Sequence, residues 1–243
     1  MAPFPSPTPT WRNTTYPSLS PIRPELSAKG KTVVITGGGT GIGAETARYF
    51  AEAGVSRIAL LGRREQPLLD TKASIEQKFP DVEVSVASTD VTKEKEVDAA
   101  FAKLIGDGKI DVMVNNAAMT GPHESIEEVD GDKFLEAIQQ NFSGSLFVAR
   151  AFLRNASTDA VAIDVNSFAA HLNVTSQFAS YSVAKLAQFR LWDSLAFANP
   201  GISVFHIQPG VVDTAMNREA GGVAAAGLED DGKYHVGLLD RMV

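Results

Sequence analysis

Tyr181 and Lys185 stand four residues apart in Tyr181-Ser-Val-Ala-Lys185, so on a helix a phenol and an ammonium project from one face. A phenol can exchange a proton with a substrate oxygen, but with an ordinary pKa near 10 it is a poor base at neutral pH. An ammonium a few ångströms away stabilises the phenolate and draws that pKa down, making a proton-transferring pair. In isolation the same spacing belongs to any amphipathic helix. A second motif gives it weight: Tyr181 lies 138 residues after Gly43, which closes the run Gly37-Gly-Gly-Thr40-Gly41-Ile42-Gly43. This run follows the strand-like segment Lys31-Thr-Val-Val-Ile-Thr36 and opens a helical stretch. Glycines let the backbone approach a pyrophosphate, and the helix start offers free N–H groups and the positive end of its dipole. Together the two motifs point to hydride transfer.

These residues must be held by alternating strands and helices. Candidate strands at 31–36, 57–62, 82–87, 110–115, 159–166 and 202–208 are rich in Val and Ile without polar alternation, as in strands covered on both faces. Candidate helices run 42–53, 65–79, 93–105, 132–154 and 180–198, with Gly54, Pro80 and Asn199-Pro200-Gly201 as stops. Strict alternation predicts an α/β fold, a doubly wound parallel sheet of Rossmann type in a single domain. Ligands then belong outside the carboxyl ends of the strands.

The bulk properties narrow the function. At 243 residues with 44% hydrophobic positions, the chain suits one domain with a buried core. A net charge of -7 argues against nucleic acid or an anionic membrane as partner. The absence of cysteine excludes disulfides, cysteine zinc sites and a thiol nucleophile. The four histidines (123, 171, 206, 235) lack ligand spacing, so no metal is expected, and His171 is either a pocket or a plain loop residue. No run reaches the roughly 18 apolar residues of a membrane span, and the N-terminus lacks signal-peptide order. Cytoplasm is the expected location. Residues 1–28 hold seven of the twelve prolines and read as an extended or disordered leader, with Trp11, Tyr16, Leu19 and Ile22 as docking candidates. The catalytic domain is expected over 29–243.

The spacing Thr36-Gly37-x-x-x-Gly41-Ile42-Gly43 resembles the fingerprint of the short-chain dehydrogenase/reductase family, and the family's other motifs follow in order over roughly 30–230. Asp90-Val91 stands where the family places an adenine contact. Asn115-Asn116-Ala117-Ala118 is similar to the family's Asn-Asn-Ala-Gly, with Ala118 in place of glycine. Asn141 lies in the next long helix, Ser167 precedes Tyr181 by 14 residues, and Pro209-Gly210-Val211-Val212-Asp213-Thr214 resembles the Pro-Gly segment beside the nicotinamide. The resemblance implies that Ser167 orients the substrate oxygen, Tyr181 exchanges its proton, Lys185 also holds the nicotinamide ribose, and Asn141 holds a relay water. It also implies a homodimer or homotetramer, to which the nearly all-round apolar helix with Val183, Leu186, Phe189 and Phe197 contributes.

The residue reading the ribose 2′-position should lie about 20 residues beyond the glycines. Gly62 occupies that place, followed by Arg63 and Arg64; room plus bidentate phosphate partners favours NADP(H) over NAD. The expected reaction is reduction of a small, fairly apolar ketone, with contacts from Phe168, Leu172, Phe178 and Met216. The alternatives are an NAD-dependent alcohol dehydrogenase and a shortened protein that binds nucleotide or a partner without turnover. A substrate lid is expected at about 212–230. The last twelve residues are too few for the helix and seventh strand that the family places there, which reads as a shortened member or a translated intron. The sheet should then end on an open edge.

Overall fold

Six short apolar runs become parallel strands; helices cover both faces of the central ones, whereas the strand at 203–207 leaves one face open, with Phe205 57% exposed. The computed structural model describes residues 17–173 and 177–222. Within them the strands are β1 (Thr32–Thr36), β2 (Arg57–Gly62), β3 (Glu83–Ser88), β4 (Ile110–Asn115), β5 (Ala156–Val165) and β6 (Ser203–Ile207). The helices are α1 (Gly41–Glu52), α2 (Glu65–Lys78), α3 (Glu94–Ile105), α4 (Gly131–Asn155), α5 (Ala179–Ala198) and α6 (Ala215–Glu219). Every strand pairing is parallel, in the order β3-β2-β1-β4-β5-β6. This is the doubly wound sheet that the alternation predicts, and among the described residues β6 forms one edge.

Boundaries match the sequence reading within a residue or so, except at β5. That strand begins at Ala156, directly after the last residue of α4, and its pairing with β4 shifts register between Ile110 and Val112. Asp159 interrupts the apolar pattern there, so the earlier residues read as a loop. The short α6 was not anticipated either. Thr214 caps it, its hydroxyl accepting from the Asn217 N–H at 3.1 Å.

Each face of the sheet has its own core. One joins Val33, Ile35 and Leu60 to Phe50 of α1 and Leu68 and Ile75 of α2. The other joins Val34, Leu61 and Met113 to Phe101 of α3, Phe152 of α4 and Trp192 of α5. β1 is buried at all five positions, which explains its unbroken β-branched run. Trp192 is fully buried, lies 6.2 Å from Phe152 between ring centroids, and donates its indole N–H to Ser145 Oγ at 2.9 Å. Burying such a ring stabilises the fold by roughly 2–3 kcal/mol, and the hydrogen bond fixes α5 against α4.

Of the Pro-rich leader, the described part makes two 3-10 turns, Pro17–Leu19 and Pro24–Leu26. It is tied to the domain where the Ala28 N–H donates to Ala53 O at 2.9 Å. Ile22 is 70% exposed and so does not anchor it. Trp11, Tyr16 and the second half of the segment expected to be a lid lie outside the described residues.

Candidate active site

The chain reverses its winding between β1 and β4, and a cleft of about 1140 Å3 opens there beyond the strand ends. Its floor begins at the turn after β1. Gly37 has φ +67°, open only to glycine without strain. A Cβ on Gly43 would lie 2.4 Å from Gly37 O. Gly43 therefore does not face the cleft; it lets α1 close onto the turn. The N-cap residue Thr40 makes no side-chain bond to the helix start. The first N–H groups of α1 are left for a ligand, the arrangement that suits a phosphate.

Asn116 braces this turn. Its side-chain amide donates to Thr36 O at 2.8 Å and Gly37 O at 3.4 Å, while its backbone N–H reaches Thr36 Oγ1 at 2.9 Å. The Ala117 N–H shares the same Thr36 hydroxyl at 3.0 Å. β4 is thereby locked to the glycine turn, and Asn116 also lines the cleft.

At one end of the cleft stand Arg63 and Arg64, exposed at the tip of β2, and neither forms an ion pair among the described residues. Asp90 lines the same end. Burial pushes its carboxyl up, but two bonds from Thr92, at 3.0 and 2.8 Å, and the charges of Lys93 and Arg63 hold it below the ordinary value. Val91 lies where a Cβ on Gly144 of α4 would approach to 3.0 Å. Thr40, Gly41 and Ile42 line the middle.

At the other end Tyr181 and Lys185 project from α5, with Pro209 and Thr214 arriving from the segment after β6. Gly210 and Val212 support that segment from behind, Gly210 with φ +80° and Val212 buried. Lys185 is 2% exposed, and its ammonium donates to Val165 O at 2.7 Å and lies 5.7 Å from the Tyr181 ring centroid. Burial lowers its pKa to about 8, against the opposing pull of the Asp164 charge. The Tyr181 phenol moves the other way. Burial raises it, a hydrogen bond from Ser167 lowers it, and Asp164 raises it again, leaving it above the ordinary value. The lowering by Lys185 expected from the Tyr/Lys spacing is not found: desolvation, Ser167 and the buried acid set the phenol, and the spacing shows neither the desolvation nor the acid.

Ser167 does not line the cleft but reaches it through Tyr181, and its Oγ also accepts from the Ala169 N–H at 3.2 Å. Asn141 lines the cleft wall with its amide engaged. It exchanges hydrogen bonds with Met119 (N–H to Oδ1, Nδ2 to O, each 3.0 Å), which pins the loop after β4 onto α4.

The expected substrate contacts are not where the sequence reading put them. Of Phe168, Leu172, Phe178 and Met216, only Met216 lines the cleft, beside His123, Glu124, Lys133 and Glu136. His171 is exposed and stacks edge-on against Phe189 at 4.9 Å. His123 takes the place expected of it, edge-on to Phe178 at 5.2 Å. Nothing in local spacing marks His123, because its loop folds back over α5.

A buried acid was also missed. Asp164 of β5 is 0% exposed beneath Lys185, with Gln188 between them. One signal was available: Gln188 lies seven residues after Tyr181, on the same helical face as Tyr181 and Lys185.

Parallel sheet, glycine turn and Tyr/Lys pair meet in one cleft, the architecture of a dinucleotide-dependent dehydrogenase. The short chain dehydrogenase family profile matches residues 31–222, and the chain belongs to that family. It is 37% identical over 206 residues to "Short chain dehydrogenase tazN" of Aspergillus terreus, covering 82% of this chain but 44% of that one. Among solved structures it resembles an alcohol dehydrogenase of Thermococcus sibiricus complexed with 5-hydroxy-NADP, with TM-score 0.70, 30% identity, and 76% and 77% of the two chains covered. It also resembles an NAD+-bound xylitol dehydrogenase, with TM-score 0.73, 28% identity, and 83% and 79% covered.

Proposed function

We propose that the protein is an oxidoreductase that uses NADP(H) to reduce a small ketone to the alcohol. The observation that carries this reading is a single cleft running from the glycine turn and the Arg63–Arg64 tip to Tyr181, with Lys185 buried behind it. A dinucleotide fits the residues present. Gly37 and Gly41, with φ +67° and +54°, leave the turn without a side chain at those two positions, α1 begins with free N–H groups, and Asp90 and Val91 offer a polar and an apolar contact for an adenine. The arginines without ion pairs suit a ribose 2′-phosphate. Structure neighbours that carry an NADP analogue and NAD+ support the cofactor class.

When bound, the nicotinamide supplies the hydride. The protein's part is to orient the ketone and provide a proton. Ser167, already bonded to the phenol, turns the carbonyl oxygen toward Tyr181. The raised phenol keeps its proton at neutral pH and gives it to that oxygen as negative charge develops. Lys185, charged below about 8, steadies the phenolate left behind. Asn141 fixes the loop beside which a relay water would refill Tyr181. Pro209 and Thr214, backed by Gly210 and Val212, form the wall against which the nicotinamide would lie. Met119, Pro122 and Met216 suit an apolar part of the substrate, while His123, Glu124, Lys133 and Glu136 suit polar substituents. The exposed Val183, Leu186 and Phe197 of α5 support assembly as a homodimer or homotetramer.

The test is an NADPH fluorescence titration followed by a ketone panel with NADPH deuterated at the transferable position. Binding, with deuterium on the carbinol carbon of the product, is expected. Binding without turnover across the panel would overturn the enzyme reading in favour of a nucleotide-binding protein.

A further inference from the structure

Asp164 has a fully occupied carboxylate. Oδ1 accepts from Asn115 Nδ2 at 3.0 Å and from Gln188 Nε2; Oδ2 accepts from Asn166 Nδ2 at 2.7 Å and meets His206 Nδ1 at 2.9 Å. These donors come from β4, α5, the end of β5 and the edge strand β6. Despite complete burial, the carboxyl is held below its ordinary value: burial pushes it up, and His206, Lys185, Asn166 and Gln188 pull it down by more. An ionised acid inside a core costs several kcal/mol unless its bonds and a counter-charge offset it. The arrangement is therefore not a neutral packing choice.

Its geometry leads to the reaction centre. Gln188 spans the gap, donating to Asp164 through Nε2 and accepting from Lys185 Nζ through Oε1 at 3.4 Å. Lys185 then lies under the Tyr181 ring. On the far side His206 is held by Phe189, ring centroids 4.1 Å apart. With an ionised partner, His206 donates from Nδ1. The titratable groups facing Asp164 are Lys185 and Tyr181 from α5 and His206 from β6. β4 presents Asn115, and α4 reaches the cluster through Ser145, whose Oγ accepts from that asparagine at 3.0 Å.

We propose that Asp164, anchored by His206 on the edge strand, is a positioning residue that holds Lys185 in place through Gln188 and keeps the Tyr181–Lys185 pair loaded with its protons for ketone reduction. This rests on the reductase reading above. One negative charge under the pair favours the protonated form of both groups, since it attracts the ammonium and repels a phenolate. Both are the forms needed at the start of reduction. Losing the charge moves both titrations in one direction, so the outcome has a definite sign.

The test compares wild type with Asp164→Asn, following the Lys185 titration by NMR in protein labelled with carbon-13 at lysine Cε, without substrate. The lysine midpoint should fall by about one pH unit or more. The alkaline limb of kcat/KM for reduction should move down with it, while the Kd for NADPH stays within a few-fold. His206→Ala and His206→Asn, at a partly exposed edge position, form a second pair. Alanine should lower kcat several-fold with little change in KM, and asparagine, which can put an amide donor near the Nδ1 position, should restore most of it. An unmoved lysine midpoint in folded Asp164→Asn would overturn the proposal, as would histidine variants that both match wild type. If Asp164→Asn does not fold, the histidine pair decides. If wild type binds NADPH but reduces no ketone, the reductase reading fails, and the lysine titration still decides the role of Asp164.

Discussion

The two ends of the cleft are built on opposite principles. The end at Arg63 and Arg64 is open, and its contacts to a ligand would come from bare backbone and from exposed guanidiniums. The end at Tyr181 rests on a buried network in which Lys185, Gln188 and Asp164 are each no more than 2% exposed. Water screens the first end and makes each of its charges weaker than a buried one, so affinity there is shared among several contacts. At the second end low polarity strengthens every interaction, so single groups carry large effects. Binding and chemistry should therefore respond differently to substitution.

The largest effect belongs to the buried end. Lys185→Met should lower kcat by about a hundredfold to ten-thousandfold, the usual range for loss of acid–base assistance. Steady-state kinetics with saturating NADPH measure it; a loss of less than tenfold would mean that the ammonium is a bystander. Gly43→Ala should follow. Its new Cβ would meet the Gly37 carbonyl at 2.4 Å and Asn116 Nδ2 at 2.7 Å. The strain should cost about 1–3 kcal/mol of stability and weaken NADPH binding, as thermal unfolding and a fluorescence titration would report. Asn116→Ala should do less, loosening the turn at a cost of about 1 kcal/mol per lost hydrogen bond, with Kd affected more than kcat.

The smallest effect is one of pH. Lys185 carries its charge below about 8 and loses it above. The reducing rate should be flat through neutral pH and fall as the pH climbs past that value. Stability shifts the other way for this group. Between about 8 and the ordinary 10.5, the unfolded chain holds the lysine proton while the folded one does not. Folding then gains from this lysine as the pH rises through that window. A rate profile flat to pH 10 would separate Lys185 from the chemistry.

The same contrast explains what could be read from the sequence. The open end is local in the chain: a strand, a glycine turn and a helix start adjoin, and the β2 tip with its arginines comes at a predictable distance. Tyr181 and Lys185 were legible for the same reason, being one helical turn apart. The support beneath them was not. Asn115, Asp164, Gln188 and His206 are far apart in sequence and meet only when four elements pack. Besides Gln188, a second trace was visible: Asp164 interrupts the apolar end of β5, Ala160-Val-Ala-Ile-Asp164-Val165, and an acid among such residues must be bonded or solvated. The substrate end was misread for a related reason. Phe168, Leu172 and Phe178 are near Tyr181 in the chain, yet the cleft wall is supplied by the loop after β4, with His123 and Glu124.

The most direct test of this division of labour measures NADPH affinity and turnover side by side in Tyr181→Phe and Arg63→Ala. The account predicts that Tyr181→Phe loses nearly all turnover with its Kd for NADPH within a few-fold of wild type. Arg63→Ala should weaken NADPH about tenfold or more, as expected for losing charged hydrogen bonds, while NADH affinity and kcat at saturation hold. If each substitution lowered both quantities together, or if Arg63→Ala weakened NADPH and NADH equally, the separation of an open binding end from a buried chemical end would be contradicted.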